Sequence, residues 1–319
     1  MKNIVSNVMT TSQNLISSME TMNDYHDGKE QFNIVSSIRR KVVLVNYAAM
    51  SYLLSFTVIL LFVSNYLTIP FYCVIQQRSP DGLFYYKAFS WFLLVNFFMN
   101  YGLILHGAVK SLYCSPNDLP LFNARVHEDW GMCQRCDRQV PVRTRHCNIC
   151  DRCVLKRDHH CYFTGSCIGF YNQRYFICLA FYSMAGALYG FYFLENYLSA
   201  SYVTLFSVEF YKYFIPYTMV LWLLRLQDFG TVLLVLLLYL TFVGFGGGCY
   251  FFFWQCNLIL TGQTSYELMK GKKTFQTTPR NHLRSIFGPH WYLNFLFPMP
   301  FLKSEDDGMS WNTTSTKFL

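Results

Sequence analysis

Four stretches of this chain run for twenty or more residues without a charged side chain, and nothing constrains its fold more. They cover 42–66 (25 residues, after the basic run Arg39-Arg40-Lys41), 88–109 (22, between Lys87 and Lys110), 175–194 (20, between Arg174 and Glu195) and 232–260 (29). About twenty residues of helix cross the ~30 Å hydrocarbon core of a bilayer, so each run predicts a membrane-spanning helix. A fifth apolar run, 213–224, has only 12 residues and contains Pro216, which fits an interfacial or re-entrant piece better than a span. Charged residues make up 14% of the chain against 53% hydrophobic, too little charge to coat a soluble globule of 319 residues.

Four spans place the N-terminal tail, the 110–174 loop and the C-terminal tail on one side of the membrane. That side holds 22 of the 26 Lys and Arg residues, an asymmetry that predicts it to be cytosolic. The net charge of +8 is mostly this bias, so no nucleic-acid partner is expected. The expected organisation is a tail (1–41), helices one and two (42–109), a cytosolic loop (110–174), helices three and four with a lumenal loop (175–260) and a second tail (261–319). The first forty residues have no hydrophobic core of the signal-peptide kind, and no cleaved leader is expected. Gly186 and Gly190, like Gly244 and Gly248, stand four apart and predict smooth strips for close helix packing.

The chemistry concentrates in the central loop. Seven of the twelve cysteines, Cys133, Cys136, Cys147, Cys150, Cys153, Cys161 and Cys167, lie there with His146, His159 and His160. In a reducing cytosol these are not expected as disulfides, and C-x2-C pairs suit tetrahedral zinc. Two closed zinc sites need eight ligands, and ten candidates are present, which leaves one Cys and one His. Asp158-His159-His160-Cys161 supplies a thiol, an imidazole and a carboxylate within four residues, the parts of an activated nucleophile. The count alone does not say which His is spare.

The loop reads Cys133-x2-Cys136-x9-His146-Cys147-x2-Cys150-x2-Cys153-x4-Asp158-His159-His160-Cys161-x5-Cys167-x4-Asn172. It resembles the DHHC-type protein S-acyltransferases (palmitoyltransferases), in the tetrapeptide and in the ligand spacing. Thr264-Ser265-Tyr266-Glu267 resembles the family's T-T-x-E motif, and Asn281 with Phe287-Gly288 resembles the motif whose Asn and aromatic residues dock the C-terminal tail. The resemblance implies an all-α polytopic membrane protein, with four transmembrane helices and a cytosolic two-zinc loop between the second and third. One zinc would take Cys133, Cys136, His146 and Cys153, the other Cys147, Cys150, His160 and Cys167, both purely structural. Cys161 would then be the acylated nucleophile, His159 its base and Asp158 the group that orients His159.

The implied reaction carries a long-chain acyl group from acyl-coenzyme A, through acyl-Cys161, to cysteines of substrate proteins at the cytosolic membrane face. The implied membrane is endoplasmic reticulum or Golgi. Arg143, Arg145 and Arg157, with Arg152, Lys156 and Arg174, are candidates to meet the coenzyme A phosphates. Ser183, Ala185, Gly186 and Ala187 would leave room for the acyl chain. The sequence departs from the family where Tyr162-Phe163 replaces the usual Pro-Trp and Thr164-Gly165-Ser166 lacks an Asn, departures that bear on rate and acyl preference. The rival reading is a non-catalytic zinc-bearing membrane adaptor, which needs neither Cys161 nor His159. A metal transporter is disfavoured, because the spans hold no carboxylate and His106 is their one histidine. Cys178, Cys249 and Cys256 read as packing residues, Cys73 and Cys114 have no evident partner, and the sequon at 312–314 is expected to stay unused.

Overall fold

The computed structural model describes residues 28–110, 130–271, 278–302 and 304–309, with the backbone alone for 28–40. Residues 1–27, Cys114 and the 312–314 sequon lie outside the described residues.

Each long uncharged run lies in a helix. The first begins inside the polar tail as α1 (Gly28–Val63), passes through one π-helical turn (Ser64–Thr68) and ends as α2 (Ile69–Ile75). Pro70 has no N–H and its ring crowds the carbonyl four residues back; the wider π turn just before it absorbs that misfit. The apolar stretch therefore runs over Lys41–Ile75, longer than the expected 42–66. The others are α3 (Pro80–Lys110), α4 (Gln173–Ser201) and α6 (Phe229–Thr261), each long and apolar enough to cross a bilayer. The fifth run forms only the short α5 (Ile215–Leu223), with Pro216 in its first turn.

Helices satisfy their own backbone groups, which is why they suit a membrane interior. Phe62, Trp91, Leu188, Phe242 and Phe253 point outward from the bundle, as lipid-facing residues should. Polar residues turn inward: Asn65 donates to Ser90 Oγ at 2.9 Å, joining the first span to the second. The glycine strips divide their work. A Cβ on Gly248 would stand 2.7 Å from the Met184 backbone nitrogen, and one on Gly190 2.7 Å from Leu60, so these two permit close packing. Gly186 meets nothing within 4 Å and opens onto a cavity of about 180 Å³ among the four spans, which Gly190 and Gly248 also line.

Between α3 and α4 the chain folds into three short antiparallel hairpins: β1 (Gly131–Cys133) with β2 (Arg138–Val140), β3 (Arg145–Cys147) with β4 (Arg152–Val154), and β5 (His159–Cys161) with β6 (Ser166–Ile168). After α6, Gly262 takes the left-handed conformation (φ +67°) that ends a helix, where a Cβ would collide with the His282 ring. The chain turns back into α7 (Ser265–Met269), then α8 (Pro279–Phe287). Phe287 is fully buried, the Cys178 thiol faces the Asn294 carbonyl at 3.4 Å, and Tyr182 donates to the Phe295 carbonyl at 2.6 Å. The tail thus docks through Phe287 and the 291–295 turn. The expected docking residue Asn281 is instead exposed in the first turn of α8.

Candidate active site and metal centres

The three hairpins repeat at intervals of 14 residues. Cys133-x2-Cys136-Asp137, Cys147-x2-Cys150-Asp151 and Cys161-x2-Thr164-Gly165 occupy equivalent places, and Asp137, Asp151 and Gly165 all take positive φ at the turn. Cross-strand register pairs His146 with Cys153 and His160 with Cys167, so each pair presents both side chains on one face. Each C-x2-C turn then meets the His/Cys pair of the next hairpin. Two groups of potential metal ligands result: Cys133, Cys136, His146 and Cys153, and Cys147, Cys150, His160 and Cys167.

Both donor sets fit zinc. Tetrahedral bonds of about 2.3 Å to sulfur put ligand atoms roughly 3.8 Å apart. In the first group Cys136 Sγ lies 3.6 Å from Cys153 Sγ and 3.3 Å from His146 Nδ1, and Cys133 Sγ lies 4.0 Å from the same nitrogen. In the second, His160 Nδ1 is 3.3 Å from Cys150 Sγ and 3.8 Å from Cys147 and Cys167 Sγ, with Cys150 and Cys167 3.7 Å apart. Sulfurs at these distances converge on a centre and are too far apart for disulfide bonds.

Cys161 stands where a third C-x2-C turn would begin. Thr164 replaces the second cysteine, and among the described residues no fourth hairpin follows to complete a site. The thiol is 4% exposed and hydrogen-bonds with the His159 side chain. His159 Nδ1 lies 2.8 Å from Asp158 Oδ2, and the edge of its ring meets Phe176 at 5.1 Å. Burial opposes charge on both His159 and Cys161, but hydrogen bonding and mutual attraction outweigh it. With Asp158 on its other side, His159 is pushed up to about 10 and the thiol is lowered from its ordinary range. Both shifts favour the imidazolium and thiolate forms of the pair.

Asp158 is 2% exposed and held from three elements. Besides His159, its Oδ2 accepts from Gln255 Nε2 of α6 at 2.8 Å, and its Oδ1 accepts the backbone N–H of Ser265 in α7. Gln255 in turn accepts from Gln173 Nε2 of α4 at 3.2 Å. Burial alone would raise the Asp158 pKa, yet these donors hold it below the usual carboxylate range. Ser265 serves through its backbone, which explains why Ser is tolerated in place of the motif's second Thr. Sequence reading missed Gln255 and Gln173; for Gln255, a polar side chain within an apolar span was the available signal.

The T-x-x-E segment also clamps the loop. Thr264 and Glu267 form a capping box, with Thr264 N donating to Glu267 Oε2 at 2.9 Å. The same carboxylate takes Arg143 Nε at 2.7 Å and Nη2 at 2.5 Å. Arg143 is thus buried in an ion pair. Arg157 is buried beside the thiols of the second group, where its charge offsets theirs. Arg145 donates to the Val142 and Thr144 carbonyls and lies over the Tyr266 ring, but remains half-exposed. At the other end of the loop, Asn172 accepts from Gly169 N and donates to the Ile104 and Cys167 carbonyls, fastening the third hairpin to α3.

The cavity among the spans is lined at its hairpin end by Phe163 and Phe176, which pack in the same cluster as Cys161. From there its lining runs along α4 as far as Gly190. The Phe163 carbonyl accepts from Tyr101 Oη at 3.2 Å, and its ring packs edge-on to Phe251. Tyr162 meets the His160 ring edge-on at 5.8 Å and is not among the residues that line the cavity.

The DHHC palmitoyltransferase family profile matches residues 126–272, the span holding hairpins, α4, α6 and α7. Palmitoyltransferase ZDHHC22 of Rattus norvegicus is 32% identical over 212 residues, which cover 61% of this chain and 77% of the relative. Human palmitoyltransferase ZDHHC22 is 30% identical, over 63% of this chain and 80% of its own. Human probable palmitoyltransferase ZDHHC24 is 29% identical over 72% and 78% respectively. The chain belongs to the DHHC palmitoyltransferase family.

Proposed function

We propose that this protein is a protein S-acyltransferase that uses Cys161 as a covalent relay. The observation that carries the reading is the Cys161–His159–Asp158 chain at the mouth of an apolar cavity. Family membership supports the same activity.

The Cys161 thiolate attacks the thioester carbonyl of a long-chain acyl-coenzyme A. The thiolate of coenzyme A leaves, with the His159 imidazolium as its proton donor, and acyl-Cys161 remains. His159, now neutral, takes the proton of a substrate cysteine, whose thiolate attacks acyl-Cys161 and regenerates the enzyme. One thioester replaces another at each step, so alignment and a ready thiolate suffice for catalysis. Asp158 keeps Nδ1 of His159 protonated and its Nε2 toward the sulfur.

The acyl tail lies in the cavity, where each methylene withdrawn from water contributes roughly 0.8 kcal/mol. From Phe176 to Gly190 the lining of α4 rises about 21 Å, comparable to a long acyl chain. The two ligand groups hold zinc as purely structural sites, since four protein ligands leave no open position. Of the three arginines proposed for the coenzyme A phosphates, Arg145 is the one with exposed surface to offer. The hairpins and both tails face the cytosol of an endoplasmic reticulum or Golgi membrane, a reading supported by the Lys/Arg asymmetry and by the family.

Release of free coenzyme A from palmitoyl-coenzyme A, followed with an acceptor peptide bearing a cysteine, tests the reading. Cys161→Ala abolishes release and transfer together, and His159→Ala slows both by about 10²–10⁴-fold. Unchanged release from Cys161→Ala overturns the relay.

A further inference from the structure

Asn46 of α1 is 7% exposed, although it lies in the first span and far from the metal loop in sequence. Its Nδ2 is 3.2 Å from Nε2 of His160, 114 residues away, and its Oδ1 has no hydrogen-bond partner. His160 turns its other nitrogen, Nδ1, to the three thiols of the second ligand group. A neutral imidazole that gives its Nδ1 lone pair to a metal carries its proton on Nε2, which then acts as a donor. An N–H facing an amide NH₂ is a mismatch, since both are donors. Exchanging the amide's nitrogen and oxygen by a half-turn fills the same volume and brings the orphaned Oδ1 onto that N–H.

We infer that Asn46 is the outer-shell partner of metal-bound His160, accepting its Nε2–H through Oδ1, and so ties the first membrane helix to the second zinc site. The inference rests on the reading of that group as a zinc site. Ligating histidines generally need such an acceptor to fix their tautomer and ring orientation. In the first group Nε2 of His146 lies 3.7 Å from Asp151 Oδ1, a carboxylate near the same place but beyond hydrogen-bond distance.

The same stretch of α1 also touches the hairpin that carries Cys161. At Gly165, whose φ is +59°, a Cβ would lie 2.9 Å from Met50 Sδ and 4.0 Å from Asn46 Cβ. Asn46 and Met50 are four apart and lie on one helix face. Asn46 thereby links a membrane helix to the metal site that supports the nucleophile's hairpin, one residue from Cys161.

Zinc content and zinc release to a chromophoric chelator, measured on the full-length protein in detergent, test the inference. The wild type holds two zinc ions. Asn46→Leu loses one of them about 10–100-fold faster and leaves the other at the wild-type rate. Asn46→Asp keeps both at the wild-type rate or slower, because a carboxylate oxygen accepts the same N–H. Met50→Ala, which disturbs only packing, leaves both rates unchanged. Equal release from Asn46→Leu and wild type, or rapid release from Asn46→Asp, overturns the role of Asn46. Should Asn46→Leu fail to fold, the Asn46→Asp rate decides alone. A wild type without zinc overturns the zinc reading itself, and this inference with it.

Discussion

Cys161 is a buried thiol beside a buried imidazole, and that pairing sets how its reactivity depends on pH. Burial alone would raise the thiol pKa and lower that of His159; the hydrogen bond between them, with Asp158 behind, reverses both. The thiolate is present above the lowered thiol pKa, and the imidazolium persists until the pH approaches about 10. Acyl-enzyme formation therefore falls as pH drops through the lowered thiol pKa, and falls again toward about 10. Asp158→Asn removes the charge that favours the imidazolium, so the acid limb moves up toward the ordinary thiol range. A pH–rate profile of single-turnover acylation, taken on protein with unchanged zinc content, checks this; superimposable profiles contradict it. At this scale the sequence already placed thiol, imidazole and carboxylate together. It did not reveal the Gln255–Gln173 relay to Asp158, because those contacts join residues 97 and 82 apart.

Among the elements, the short α7 has the largest effect for its length. Its capping box and its ion pair use one carboxylate, Glu267, which is buried against Arg143. Removing one partner of a buried pair leaves the other charge uncompensated, at a cost of roughly 3–5 kcal/mol. Glu267→Ala is expected to lower the thermal midpoint sharply and to release α7 from Asp158, with loss of acylation. A midpoint within a degree or two of wild type contradicts the clamp. The element types were legible from charge-free runs and motif order, but the edges were not. The first span was expected to end at 66, yet a π turn carries the helix past Pro70 to Ile75. The hairpins were hidden because each strand has three residues, too few for alternation to register. The 14-residue repeat was the readable signal, and it places Cys161 at the start of a third turn that, among the described residues, has no following hairpin.

Across the whole molecule, the spans and the hairpins form one device: helices enclose an apolar cavity, and the loop holds the thiol at one end of it. The glycines let the two roles be separated. Gly248→Ala pushes a methyl into the Met184 backbone and is expected to destabilise the bundle. Gly186→Phe projects into the cavity, so it should leave the thermal midpoint close to wild type and shift preference toward shorter acyl chains. Competition among acyl-coenzyme A donors of graded length checks this, and an unchanged preference contradicts the assignment of the cavity. The most direct test of the account is to expose the detergent-purified protein to labelled palmitoyl-coenzyme A and map the label by peptide mass spectrometry. The account predicts a hydroxylamine-labile acyl group on Cys161, absent from Cys161→Ser that retains two zinc ions. No label on a two-zinc wild type, or label that persists in Cys161→Ser, would contradict it.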